Sequence, residues 1–179
     1  GSVGTWSQLL ADHPSTRIMM TKNNQYRDNI VEMAQAADPK HGVTRINWIN
    51  DNRVPKPGSW FTNKKLAFGG VSRDLMPHLL SLYQMFEPDW RTTQPKWAKK
   101  ERRWNLEDLT DSDYGEVDSK GVYDVDDFAY IDFGDFQLQT NWRSLDTDDI
   151  AVHTQTKSFE LGLCPELAYL DMITTALWE

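Results

Sequence analysis

"FGGVSRDLMPHLLSLYQMF", residues 68–86, sets two glycines, an acid and a histidine ahead of an apolar helix. Leu75, Leu79, Leu82, Tyr83 and Phe86 recur at the period of a helix with one buried face. Ser72 is placed to cap that helix, and Pro77 falls in its first turns, where a missing N–H is tolerated. Asp74 and His78 stand four residues apart and share a face of the predicted helix, with Asp74 nearer its positive end. A carboxylate there stays ionised and orients an imidazole, whose ordinary pKa suits proton transfer near neutral pH. Gly69 and Gly70 leave the backbone open to close approach by a substrate or cofactor. The competing reading is a helix-start acid and a histidine that fills a helix–sheet contact, and spacing alone leaves both open.

Toward the N-terminus, "TWSQLLADHPSTRIMMTKN" (5–23) predicts a short helix stopped at Pro14 and a strand carrying Ile18, Met19 and Met20. "QYRDNIVEMAQAAD" (25–38) has Ile30, Val31, Met33, Ala34 and Ala37 at helical spacing, and "VTRINWIN" (43–50) alternates as a strand. The prolines and glycine of "DNRVPKPGS" (51–59) mark a loop before the short element "WFTNKKLAFGG" (60–70). Beyond the helix, residues 87–121 are polar and irregular, with room for a strand near Trp97 to Trp104. "FAYIDFG", "FQLQTNWRS" and "IAVHTQ" then alternate as three strands, with a hairpin turn at Gly134-Asp135. "SFELG" (158–162) reads as a further strand, and "PELAYLDMITTALW" (165–178) as a terminal helix with Pro165 near its first position. Late strands without crossover helices must pair antiparallel. The class is α+β: a large, mostly antiparallel open sheet with helices packed on one face.

The chain has 179 residues, 39% of them hydrophobic and 26% charged, which suits one soluble globular domain. A formal charge of -8 argues against nucleic acid or an anionic membrane as the main partner. The single cysteine, Cys164, excludes an internal disulfide and fits a reducing, cytoplasmic compartment. No apolar run is long enough to span a bilayer, and "GSVGTWSQLL" is no signal peptide; Gly1-Ser2 reads as a cloning remnant.

Other chemistry is sparse. No Gly-x-Gly-x-x-Gly, P-loop or paired-cysteine motif occurs. The acids of "DSDYGEVDSKGVYDVDD" (111–127) miss calcium-loop spacing and read as a solvated acidic loop, so no metal is expected. His13, His41 and His153 are isolated in sequence and read as surface or ordinary core residues. Cys164, beside a helix start, reads as a small packed residue.

The order of "RIMMTKNNQYRDNIVEM", "VTRINWIN", "WFTNKKLAFGGVSRDLMPHLLSLYQMF" and "VDDFAYIDFGDFQLQTNWRS" resembles the C-terminal domain of Gfo/Idh/MocA-type NAD(P)-dependent oxidoreductases. The family's Gly-Gly followed by Asp-x-x-x-His is matched by Gly69, Gly70, Asp74 and His78. The resemblance implies a sheet domain like those closing dihydrodipicolinate reductase and glyceraldehyde-3-phosphate dehydrogenase. It also implies hydride transfer on a sugar, cyclitol or related polyol, with NAD or NADP in the full-length enzyme. His78 becomes the catalytic acid/base and Asp74 its partner. Asn24, Tyr26 and Arg27 become substrate contacts, followed by Trp60 and Lys64, while Gly69 and Gly70 lie near the cofactor.

The family's nucleotide fingerprint and its Glu-Lys-Pro segment have no counterpart here. Residues 1–22 resemble the end of the Rossmann half and its linker, and 23–179 the C-terminal domain. The expectation is therefore an excised C-terminal domain that binds no cofactor by itself and is inactive alone. The resemblance further implies a homodimer or higher oligomer through the open sheet face, with Trp142 or its alternating neighbours near the contact. The stretch 87–123 is longer than in the shortest family members and leaves the substrate class open. Two other readings stand: a non-catalytic ligand-binding or regulatory relative, and a free-standing sheet domain used for association.

Overall fold

A computed structural model describes residues 3–15, 22–36, 42–145, 148–155, 157–161 and 166–178. Its helices are α1 (Val3–Asp12), α2 (Asp28–Ala36), α3 (Lys64–Ala67), α4 (Val71–Asp74), α5 (Met76–Phe86) and α6 (Glu166–Trp178). Its strands are β1 (Thr44–Ile49), β2 (Trp97–Glu101), β3 (Phe128–Asp132), β4 (Phe136–Asn141), β5 (Asp149–His153) and β6 (Ser158–Glu160). The strands form one mixed sheet in the order β2-β3-β4-β1-β5-β6. The strand expected at Ile18 to Met20 lies outside the described residues.

The antiparallel expectation holds in part. β3 and β4 form the hairpin that Gly134 permits, turning there at φ 99°. β4 and β5 do not pair. β1 lies between them, parallel to β4 and antiparallel to β5. Burial explains its central place, because Ile46 sits in register with Leu138 on one side and Val152 on the other, all three fully buried. A strand flanked on both sides hides such a row better than an edge strand would.

Alternation then sorts the two faces. Ile46, Trp48, Phe136, Leu138 and Val152 point toward α5. Tyr83 of α5 stacks on Phe133 at 4.2 Å and meets Phe136 edge-on at 5.2 Å, and Leu79, Leu82 and Phe86 fill the remainder. Each such side chain contributes roughly 1.5–3 kcal/mol by burial. The opposite face is polar: Arg45 donates to Gln137 at 3.2 Å, and Asn47 to Asp149 at 2.7 Å. Trp142 is therefore not on that face. It extends the inward-facing row of β4 and is buried, so the expectation that placed it at an outer contact is corrected by the pleat.

The helix expected over 72–86 is two helices. Pro77 offers no N–H to the carbonyl one turn back and crowds it, so α4 ends at Asp74 and α5 begins at Met76, with Leu75 between. Ser72 is not the cap. The N-cap position is Gly70, and Asp126 supplies the acceptors from a distant loop: its Oδ1 takes the Gly70 N–H (3.3 Å), its Oδ2 the Ser72 N–H (2.8 Å), and its carbonyl the Val71 N–H (2.8 Å). A Cβ on Gly70 would lie 1.8 Å from that carbonyl oxygen.

The acids after Asp111 are thus not simply a solvated loop. Asp124 accepts the Lys64 N–H (2.6 Å). Asp127 is buried and accepts the N–H groups of Arg103 (2.8 Å) and Trp104 (3.1 Å) and the Tyr123 hydroxyl (3.0 Å). Burial pushes the Asp127 carboxyl upward in pKa, opposed by those three hydrogen bonds. Segment 87–123 supplies the edge strand β2 and then straps the loop after β1.

Candidate active site

Strands β1 and β4 run parallel, so their C-terminal ends and the loops that follow lie side by side. Asn50 ties the two together, its N–H donating to Asn141 Oδ1 (2.8 Å) and its amide to the Asn141 carbonyl (2.7 Å). Beyond it the Arg53 N–H bonds the Trp142 carbonyl (2.8 Å). The strap adds a third wall, in which Asp113 N–H donates to Asn52, Lys56 N–H donates to Tyr114, and Ser112 Oγ donates to Val54. A cavity of about 220 Å³ opens between these walls and α4. Trp48, Phe61, Tyr114 and Trp142 give it aromatic sides, and Asn50, Arg53 and Asp74 its polar groups. Small-molecule sites are concave with a few fixed polar groups among apolar walls, and this one is more polar than most, its lining being about as polar as apolar.

Asp74 faces this cavity, where its Oδ2 accepts the Trp142 indole N–H at 2.9 Å. The helix break removes the one-turn geometry that would have let it bond His78. Among the described residues no hydrogen bond joins the two, and Asp74 acts on the ring by its charge. His78 packs against Trp48, with ring centroids 5.3 Å apart, and so stands beside the cavity. Burial and the Lys22 ammonium push the His78 pKa below its ordinary value, against the opposing pull of Asp74. Lys22 is itself pushed down by burial, opposed by Asp74. The three form an electrostatic cluster whose imidazole is neutral at neutral pH.

A depressed folded-state pKa means that the unfolded chain binds the His78 proton more tightly. The stability this contributes is full above the unfolded value of 6.5 and is lost as pH falls through the lower folded value. The melting temperature is therefore expected to drop between pH 7.5 and 5.5, and less so in His78→Gln. Equal drops in both proteins, followed by circular dichroism, would remove His78 as the cause.

The other expected contacts are dispersed. Asn24 and Arg27 are buried and bonded to each other (2.9 Å), and Arg27 also donates to the Leu161 carbonyl (3.0 Å), tying the start of α2 to the end of β6. Tyr26 is half-buried in the same turn. Trp60 is exposed, packed on the cavity residue Phe61 at 4.6 Å, and Lys64 is exposed on α3. Gly69 and Gly70 do not line the cavity described, and the space at Gly70 is filled by Asp126. Cys164 and His41 lie outside the described residues, and His13 is exposed at the end of α1. His153 is not isolated, for its ring lies 2.9 Å from both Ser158 Oγ and Asp149 Oδ1. With Ser158 exposed on the sheet face, this clamps β5 to β6. Among the described residues no cluster of His, Cys, Asp or Glu has the geometry to hold a metal ion.

Lys22, Trp48, Asn50, Arg53, Phe61, Tyr114 and Trp142 were not singled out for the site by their place in the sequence. The available signal was positional, since Trp48 and Trp142 sit at or just past the ends of strands, where ligand sites of mixed sheets gather.

No protein-family model matches the chain. No curated protein matches it. Among solved structures, the chain is similar to the crystal structure of GenD2 from gentamicin A biosynthesis in complex with NAD, with a TM-score of 0.52 and 18% identity. The likeness covers 98% of this chain and 58% of that one, so the chain spans little more than half of GenD2 and shares its fold over that part.

Proposed function

We propose that this chain is the substrate-binding and assembly half of an NAD(P)-dependent oxidoreductase of the Gfo/Idh/MocA type, acting on a sugar, cyclitol or related polyol. One observation carries the reading. Lys22, Asp74 and His78 converge beside an aromatic-walled cavity at the ends of parallel strands, on a fold shared with part of an NAD-bound protein.

The described residues do not fit the cofactor itself. A dinucleotide needs free backbone N–H groups for its pyrophosphate. Those of Gly70, Val71 and Ser72 are all taken by Asp126, whose carboxylate would also repel a phosphate. On this proposal NAD or NADP sits on a Rossmann domain of the whole protein. The roles left to this chain are to bind the substrate and to move its proton. His78, neutral and half-buried, accepts the hydroxyl proton at a ring nitrogen as the alcohol is oxidised. Asp74 steadies the imidazolium that forms and holds the Trp142 wall by its hydrogen bond. Asn24, Tyr26, Arg27, Trp60 and Lys64 stay as proposed contributors to the cleft, with Asn24 and Arg27 acting through the turn that presents Lys22.

Assembly is proposed through the polar sheet face, where the exposed Trp97 packs on the half-buried Tyr130 at 5.2 Å. The full-length protein should reduce NAD⁺ or NADP⁺ with at least one sugar, inositol or alditol, followed at the nicotinamide absorbance, and scatter light as a dimer or larger. Ligand binding without turnover would leave the non-catalytic reading, and a strict monomer would remove the assembly role.

A further inference from the structure

Among the described residues the cavity is lined by one cation, Arg53, and one carboxylate, Asp74, and the two form no ion pair. The chain carries 27 acids and a net charge of -8, yet no carboxylate among the described residues pairs with the Arg53 guanidinium. It lies over the Tyr114 ring, 5.4 Å from its centre, at the mouth of the cavity. Both partners are fixed through their backbones, Arg53 to Trp142 and Tyr114 to Lys56, with the Tyr114 N–H also on Ser112 Oγ (3.1 Å). The other polar groups have prior commitments: Asp74 Oδ2 to the Trp142 indole, and the Asn50 amide to Asn141.

We propose that this cavity binds a sugar acid, its hydroxylated ring against Trp48 and Trp142 and its carboxylate on Arg53. The inference rests on the reading of this chain as a substrate-binding half and narrows the substrate within it. A guanidinium is a planar fork that meets a carboxylate with two parallel hydrogen bonds, and a ring hydroxyl offers no such match. Charge gives the same answer. Among the described residues lining the cavity Arg53 is the single cation, so the cavity can pair one anionic group. A phosphate dianion would exceed that one charge. At about 220 Å³ the cavity suits one small ring rather than a chain of them.

Titration of this chain with D-glucuronate, D-glucose and D-glucose 6-phosphate, followed by calorimetry, tests the proposal. D-Glucuronate is expected to bind at least about tenfold more tightly than either of the others. Arg53→Gln should weaken it by about 10–100-fold and erase the preference for the acid over D-glucose. Arg53 is exposed, so the variant should melt with the wild type. Wild-type affinities for acid and neutral sugar within twofold, an Arg53→Gln that keeps the preference, no binding of any of the three, or tighter binding of the phosphate would each overturn the sugar acid. The oxidoreductase reading fails separately. Turnover of neutral polyols without preference for an acid would sink the sugar acid alone, and D-glucuronate binding without turnover of any sugar or acid would sink the oxidoreductase alone.

Discussion

Gly70→Ala is expected to destabilise the protein by about 3 kcal/mol or more, at the upper end of what overpacking usually costs. The new methyl would start 1.8 Å from the Asp126 carbonyl oxygen and 2.8 Å from its carbon. Both are backbone atoms, so no side chain can rotate away to make room. Relief requires moving the loop, and the loop holds the first turn of α4 through the Gly70, Val71 and Ser72 N–H groups. Opening it strands those donors, a buried valine among them. A fall in melting temperature of about 6–12 °C follows for a chain of this size. Denaturant titration is the direct measurement. A loss below about 1 kcal/mol would mean that Asp126 is not the cap.

On the proposed oxidoreductase reading, His78→Ala should lower kcat by about 10²–10⁴-fold, the usual worth of a positioned acid or base. Cofactor affinity should hardly change, since the described residues offer the dinucleotide no cradle. A general base works when deprotonated, so activity in the oxidative direction should rise with pH through the His78 pKa. That limb should lie below the ordinary imidazole value of 6.5. The two neighbours should move it in opposite directions. Asp74→Asn removes a charge that favours the imidazolium and shifts the limb to lower pH, while an amide oxygen can still accept from Trp142. Lys22→Met removes a charge that opposes it and shifts the limb upward. If kcat stays within a few fold while the melting temperature falls, His78 fills space against Trp48 and the catalytic assignment is withdrawn.

Much of the fold was readable locally. The α5 face and the β3–β4 hairpin each follow from periodicity or a turn glycine within a few residues, whereas the strand near Trp97 to Trp104 lay in a stretch with no clear pattern. What was not readable depends on distance. Nothing near "VTRINWIN" says that it enters between two strands almost a hundred residues later, because a parallel neighbour is chosen by packing after collapse. The split of the long helix turned on Pro77, whose tolerance in a first turn and disruption of an earlier one share the same signature. Asp74 and His78 were legible as a spacing, but their coupling through charge rather than a hydrogen bond was not. Lys22 and Arg53 were invisible as site residues because their partners, Asp74 and Tyr114, come from other segments.

The central position of β1 also sets an order of events during folding. Thr140 Oγ1 donates to the Trp48 carbonyl across 92 residues of chain, and on its other edge β1 must wait for β5. As the chain leaves the ribosome, Ile46 and Trp48 are therefore made long before either neighbour exists. For several seconds, at roughly 5–20 residues per second, this strand has two unsatisfied edges and an apolar row with nothing to cover it. Slow, non-local pairing of this kind is where aggregation competes with folding. A strand at the centre of the finished sheet is thus the most vulnerable part of the nascent one.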